Sequence, residues 1–262
     1  MKIKELILVT FMLIGCLVNL SAGGFSETKK FKPANVTNIE VELVFENLTL
    51  STWKGNEIII VSESNKKDVF PEIKSENKNL KILSQNSISF AESKESFCNI
   101  SLMLPENYLA EKIVIKAPYG KLDVQKLNAK KVSITPSPEN SLANITTDYF
   151  EIPLPDQLDV NISNLDCKAF NITLLAGDAN LALARAPEND SKLSVKNGKL
   201  NVTIPASSSF TIKADSYHSK FINNFTGDIS TWARDGITYK HKGGGSTIEL
   251  RTFTGDITVG DQ

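Results

Sequence analysis

His218 and His241 are the only histidines in the chain, and Cys16, Cys98 and Cys167 the only cysteines, so proton shuttling and soft-metal ligation have few side chains to draw on. Asp215, Ser216 and Ser219 lie close to His218 and supply the residue types of a hydrolase triad. Such a triad needs nucleophile, base and orienter to converge, and no Gly-x-Ser-x-Gly elbow is present to present a serine. The expectation for His218 is a surface histidine on a polar strand, and for Lys240-His241-Lys242 a solvated charge cluster. Gly227-Asp228 and Gly255-Asp256 offer one carboxylate per corner, whereas calcium-binding repeats place several. These aspartates read as turn residues bonding nearby backbone. Gly243-Gly-Gly245 is followed by neither Gly-Lys-Ser/Thr nor a helix, so it is no phosphate loop. Trp53 and Trp232 could stack on sugars, but isolated indoles are more often core or rim residues. No pair of carboxylates is marked out for glycoside hydrolysis. No catalytic residue, cofactor or metal ligand is expected.

Behind these residues the chain alternates. Ile39, Val41, Leu43 and Phe45 form one apolar set, Ile100, Leu102 and Leu104 another; Val132 and Ile134, Phe170, Ile172 and Leu174, and Leu200, Val202 and Ile204 continue it. This two-residue period belongs to strands with one buried face, and no sustained 3.6-residue period appears after the first 22 residues. Asn, Gly, Asp, Ser and Pro punctuate the runs at about ten-residue intervals, as turns should. The fold class is all-β. Nine Asn-x-Ser/Thr triplets follow residue 22, eight of them with an apolar middle residue. An inward apolar residue between outward polar ones gives that pattern without any glycan.

Self-comparison reveals repeats. Residues 127–135 align with 165–173, each preceded by a Leu-Asp-Val. Ile134, Ile152, Ile172 and Val195 follow one another at 18, 20 and 23 residues, and Phe225-Thr-Gly-Asp-Ile229 recurs as Phe253-Thr-Gly-Asp-Ile257. Near-fixed periods of this size indicate stacked units that bury their apolar rows against one another. A single β-solenoid-like stack is expected, with a β-sandwich as the alternative. Lys54-Gly-Asn56 reads as a hairpin turn, residues 62–80 as a solvated loop or edge, and residues 233–246 as a flexible loop.

Residues 1–22 read as an export signal: Lys2 and Lys4, an apolar run from Leu6 to Val18, then small residues. Cleavage after Ala22 is one route. The other is lipidation of Cys16, since Leu13-Ile14-Gly15-Cys16 resembles a lipobox. Residues 23–262 would then form one β-repeat domain in the periplasm or on the cell surface. Cys98 and Cys167 could pair there, closing a loop worth about 3–4 kcal/mol, or remain separate buried thiols; both alternatives stay open.

An N-terminal strand pair between Ile39 and Val61, then Ile100-Ser-Leu-Met-Leu-Pro105, Gly-x-Leu/Ile corners and a closing Gly-Gly-Gly-Ser-Thr-Ile-Glu-Leu-Arg-Thr-Phe-Thr-Gly-Asp-Ile together resemble the DUF4097 family of bacterial adhesin-like proteins over roughly residues 35–260. The polar stretch 62–98 and the longer last two repeats depart from that pattern. The resemblance implies an exported or membrane-attached β-repeat protein with no catalytic residues to carry over. With 29 Lys and Arg against 30 Asp and Glu, nothing suggests a nucleic-acid partner. The expectation is a non-enzymatic envelope protein whose partner is a protein or a polysaccharide, touching a membrane only through a lipid on Cys16. A structural assembly component and, further off, a glycan-active enzyme are the other readings.

Overall fold

The computed structural model describes residues 19–21, 24–66, 69–85, 97–153, 157–217, 219–225, 231–233 and 236–262. Cys16 and both cleavage sites fall outside them, as do His218 and Gly227-Asp228.

Alternation becomes rungs. Each rung is a strand in one sheet, a corner, and a strand in a second sheet. In chain order the rungs are β3 (Asn38–Glu42) with β4 (Asn47–Trp53), β7 (Asn79–Leu83) with β8 (Cys98–Pro105), β9 (Ala110–Lys116) with β10 (Leu122–Val124), and β11 (Leu127–Thr135) with β12 (Asn140–Ala143). Then come β13 (Ile145–Ile152) with the first part of β14 (Val160–Ala176), the rest of β14 with β15 (Ala179–Leu183), and β16 (Ser191–Asn197) with β17 (Leu200–Thr203). Last are β18 (Phe210–Ser216) with β19 (Phe221–Asn223) and β22 (Thr247–Thr254) with β23 (Ile257–Gly260).

Sheet I runs β8-β4-β10-β12-β14-β15-β17-β23-β19, parallel throughout. Sheet II runs β7-β3-β9-β11-β13-β14-β16-β22-β18, also parallel. Antiparallel strands finish the ends. Beyond β8 lie β5 (Ile58–Ser64), β2 (Gly24–Phe31) and β1 (Asn19–Ser21); beyond β7 lies β6 (Glu72–Glu76). Beyond β18 lie β21 (Gly236–His241) and β20 (Thr231–Ala233). Pro33–Asn35 forms a single 3-10 turn.

One continuous core fills the space between the sheets, from Ile39 and Leu48 through Ile113, Phe150 and Leu193 to Ile257. A fully buried Leu or Ile contributes about 1.5–3 kcal/mol, and here it does so against the opposite sheet and the rungs above and below. The corners line up, so the architecture is the stack and not the sandwich. Asn128 faces Thr146 and Thr146 faces Asp166, which puts segments 127–135 and 165–173 two rungs apart in matching register.

Three other periods shift. Ile172 faces Leu193, while Val195 faces Leu174, two residues further along the same inward row. Val124, Leu142 and Ile162 stack, so the two Leu-Asp-Val tripeptides are offset by two residues. Ile257 faces Phe221, so the 28-residue recurrence is not the stacking period. An inward Leu, Ile or Val fits any inward position, and repeated apolar letters alone do not fix register.

Both ends are also permuted: the β3/β4 rung lies inside the β7/β8 rung, and β22/β23 inside β18/β19. The turn at 54–57 is therefore no hairpin, because β8 inserts between β4 and β5. Residues 72–83 form the β6–β7 edge. Residues 236–241, expected to be a flexible loop, are a strand with Ile237, Tyr239 and His241 buried.

The corners are held by small, specific devices. Glu46, 3% exposed, accepts hydrogen bonds from the backbone amides of Val44 (2.9 Å) and Phe45 (3.1 Å) and from Ser84 Oγ (2.5 Å). At the later corners Gly177, Gly198 and Gly255 stack so closely that a Cβ on any of them would lie within 2.1 Å of a carbonyl oxygen of the corner next to it.

Candidate functional site

The residues singled out for chemistry do not converge. His241 is buried between Phe210 and Phe225, its Nδ1 3.0 Å from Tyr239 Oη and its Nε2 3.0 Å from the Ala206 carbonyl. It is a core residue of the end cap and not part of a solvated cluster; Lys240 and Lys242 take the exposed alternate positions. Asp215 is exposed on the outer face of sheet II in register with Arg251, while Ser219 Oγ accepts the Gly255 amide at 2.7 Å. Asp256 receives the Lys220 amide at 3.0 Å, a turn role. Asp159 and Asp178 do the same for the amides of Asp178 (2.7 Å) and Lys199 (2.8 Å), each bonding the neighbouring corner. Cys98 and Cys167 are free and buried, so the structure takes the separate-thiol alternative and not the disulfide. Burial, with Glu46 and Asp166 respectively adding to it, pushes both thiols up to about 12. Among the described residues no three of His, Cys, Asp and Glu are grouped to hold a metal.

What the stack does create is long faces of repeated chemistry. The outer face of sheet II is zippered by ion pairs between rungs: Lys81 with Glu40 (2.9 Å), Lys116 with Glu42, Lys130 with Glu111 (2.8 Å), Lys168 with Asp148 (2.8 Å) and Arg185 with Asp166 (2.5 Å). Hydrogen bonds to these carboxylates raise the pKa values of Lys81, Lys116 and Lys168, and that of Arg185 is raised by its hydrogen bond to Glu188 and then by the one to Asp166. The pairs are exposed, so each contributes little to stability. Their effect is to occupy the charged groups with one another.

The outer face of sheet I differs. Its central row reads Thr49, Asp123, Ser141, then Asn161, Asn180, Asn201 and Thr258. Asn180 Nδ2 donates to Asn161 Oδ1 and Asn201 Nδ2 to Asn180 Oδ1, both at 2.8 Å. An amide has two N–H groups and an oxygen with two lone pairs. The ladder at Asn180 uses one of each and leaves one of each for solvent or a ligand, repeated at about 4.8 Å. Beside this row runs a line of small residues, Ala143, Ser163, Ala182 and Thr203, which lets an open trough of about 350 Å³ form over Asn161, Asn180 and Asn201. Asn161 and Asn201 head Asn-x-Ser/Thr triplets, as the outer-face reading of those triplets expects. Asn180 does not, and its place was legible only as Asn at one-rung spacing from both.

A third feature follows the edge where sheet II turns into sheet I. Tyr119 stacks on Phe45 at 5.5 Å near one end, and Tyr217 on Phe253 at 5.2 Å near the other. Tyr119 (66% exposed), Tyr217 (70%), Phe253 (49%) and Leu175 (37%) all lie along it. This row of exposed rings was not anticipated, because its members come from corners far apart in sequence.

Against known proteins, a family model described as Toastrack DUF4097 matches residues 36–184. Among solved structures the chain is similar to a candidate cell adhesion protein from Clostridium sporogenes (15% identity, 90% of this chain and 99% of that one, TM-score 0.39). It is also similar to a candidate adhesin from Parabacteroides distasonis (12% identity, 89% and 96%, TM-score 0.42) and to a candidate lipid-binding protein from the same organism (10% identity, 90% and 96%, TM-score 0.36). No curated protein matches the chain.

Proposed function

The chain belongs to the Toastrack DUF4097 family, and from that premise we propose that it is a non-catalytic binding module, exported to the bacterial envelope, which holds an uncharged, hydroxyl-rich polymer against the outer face of sheet I. The observation that carries this reading is the Asn161–Asn180–Asn201 ladder with its trough. It offers equally spaced donors and acceptors on a rigid support, with no bulky side chain in the adjacent line. Contacts of this kind are individually weak and gain strength by repetition along one polymer. The sheet II face supports the reading by contrast, since many of its charges are paired between rungs. Export is supported by residues 1–22, with their basic start and short apolar run. An assembly component that stacks end to end is supported less, because antiparallel strands interrupt the rung pattern at β5, β6 and β21.

The test is retention of the purified protein on an insoluble neutral polysaccharide, such as cellulose or chitin, at rising NaCl. Retention should persist at about 1 M salt, where charge attraction is screened within about 3 Å, and should fall in Asn180→Leu. Salt-eluted binding, or none, refutes the proposal.

A further inference from the structure

At the opposite long edge, near the first rungs, a pocket of about 390 Å³ opens between the 54–57 turn and the loop from β8 to β9. Trp53, Tyr108 and Leu109 wall it, and Lys54, Asn56, Glu106 and Asn107 surround it. We propose that this pocket is a binding site for a neutral sugar ring, separate from the face of sheet I.

The pocket is built and not incidental. Trp53 Nε1 donates to the Glu57 carbonyl at 2.9 Å, and Tyr108 Oη donates to the Val36 carbonyl at 3.0 Å. Both rings are thereby fixed, and their polar atoms are directed into the protein. Gly55 lies against the indole: a Cβ there would sit 1.9 Å from its benzo ring, so this residue must be small for Trp53 to keep its place. The Glu106 amide bonds the Trp53 carbonyl at 2.9 Å, tying the β8–β9 loop to the end of β4. Tyr108 closes that loop through its amide on the Pro105 carbonyl, also 2.9 Å. Pre-ordered walls reduce the entropy lost on binding. Leu109, 58% exposed, stands at the mouth, where an apolar side chain gains from being covered.

Ligand class follows from the two kinds of group. Fixed aromatic and aliphatic walls suit a ligand with a C–H surface. The rim carries one cation, one anion and two amides, and these side chains are exposed. A charged ligand would meet one like charge on that rim. An aliphatic ligand would leave four hydrogen-bonding groups unmatched. A sugar ring has a C–H face and hydroxyls that both donate and accept, so it can answer Lys54 and Glu106 together. The volume falls within the range of about 300–1,000 Å³ common for small-molecule sites, room enough for the terminal ring of an oligosaccharide.

The chain has two tryptophans, so Trp232→Phe leaves Trp53 as the sole indole reporter. Its emission is followed while cellobiose, maltose and N,N′-diacetylchitobiose are titrated, with a glucuronide and a leucyl dipeptide as charged and apolar comparisons. The expected result is a saturable change with at least one neutral disaccharide, half-complete near about 1 mM. Glu106→Gln and Leu109→Ala should each raise that concentration several-fold with the far-ultraviolet circular dichroism unchanged. No saturable response to any neutral sugar overturns the proposal, as does a response confined to the comparisons or indifferent to both substitutions. If the pocket fails while salt-resistant retention on polysaccharide persists, only the pocket assignment falls.

Discussion

Gly177→Ala should be among the most damaging single-methyl additions in the protein. Gly177 sits at φ +111°, and a Cβ there would lie 2.0 Å from the Leu158 carbonyl oxygen, where real Cβ contacts stay beyond 3.0 Å. The two corners would have to separate by roughly 1 Å. That movement strains the bonds from the Leu158 amide to the Ala176 carbonyl (3.0 Å) and from the Gly177 amide to the Asn197 carbonyl (2.9 Å). Two such bonds at about 0.5–1.5 kcal/mol each, with about 1–3 kcal/mol for a non-glycine residue held at this φ, give a loss of about 2–6 kcal/mol. A domain has about 5–15 kcal/mol in all. Gly243→Ala is the matched comparison: its φ is +81°, but nothing lies within 4 Å of the added methyl, so only the backbone strain remains. Urea unfolding of both variants, followed by circular dichroism, separates the two costs. The Gly177 variant should unfold at clearly lower urea, with a broadened or split transition as the stack loses contact at one corner. Equal midpoints for the two variants would refute the account of the corner.

Three other outcomes follow from the buried groups. Both thiols have folded pKa values of about 12 against an ordinary 9.0, so the unfolded chain releases protons above pH 9 that the folded chain retains. Stability should therefore be full below pH 9 and fall as pH rises toward 12, by at most about 1.4 kcal/mol per pH unit per thiol; Cys98→Ala with Cys167→Ala should flatten that slope in urea melts at fixed pH values. Glu46→Ala should cost about 2–4 kcal/mol by leaving the Val44 and Phe45 amides without their acceptor, whereas Glu46→Gln, which keeps one, should cost less in the same assay. His241→Leu should speed amide exchange along β21 while leaving β11 and β13 protected, because it removes the partners of Tyr239 and Ala206 at one end of the stack only.

Period two, the corner residues and the two-rung spacing between segments 127–135 and 165–173 were legible because each rung repeats the same local problem. The order of the rungs at the ends was not. Which strand lies beside β4 depends on whether β8 or β5 inserts there, and every inward Leu or Ile satisfies either arrangement. Lys240-His241-Lys242 looks like a charge cluster because the neighbours of His241 are lysines; yet Ile237, Tyr239 and His241 alternate inward like any other strand, with Lys240 and Lys242 outward. The pocket could not be read because Trp53 and Tyr108 approach only when β4 and β8 pair. Nor could the ring-bearing edge, since Phe45 meets Tyr119, and Phe253 meets Tyr217, across rungs and not along the chain.

The two outer faces solve the same stacking problem with opposite consequences for recognition. A parallel rung places like residues above one another, so a row of lysines or of glutamates would repel itself. Several rows of sheet II alternate in sign instead, as Glu40 meets Lys81 and Asp148 meets Lys168, although Lys112 faces Lys131. Asparagine needs no alternation. Asn180 donates to Asn161 and accepts from Asn201, so identical residues reinforce the row, and its amide retains one N–H and one lone pair. A surface that must both hold its own rungs together and present the same group at every step is therefore better made of amides than of charges. Its binding would depend on matching hydrogen bonds along a polymer and would be nearly indifferent to salt.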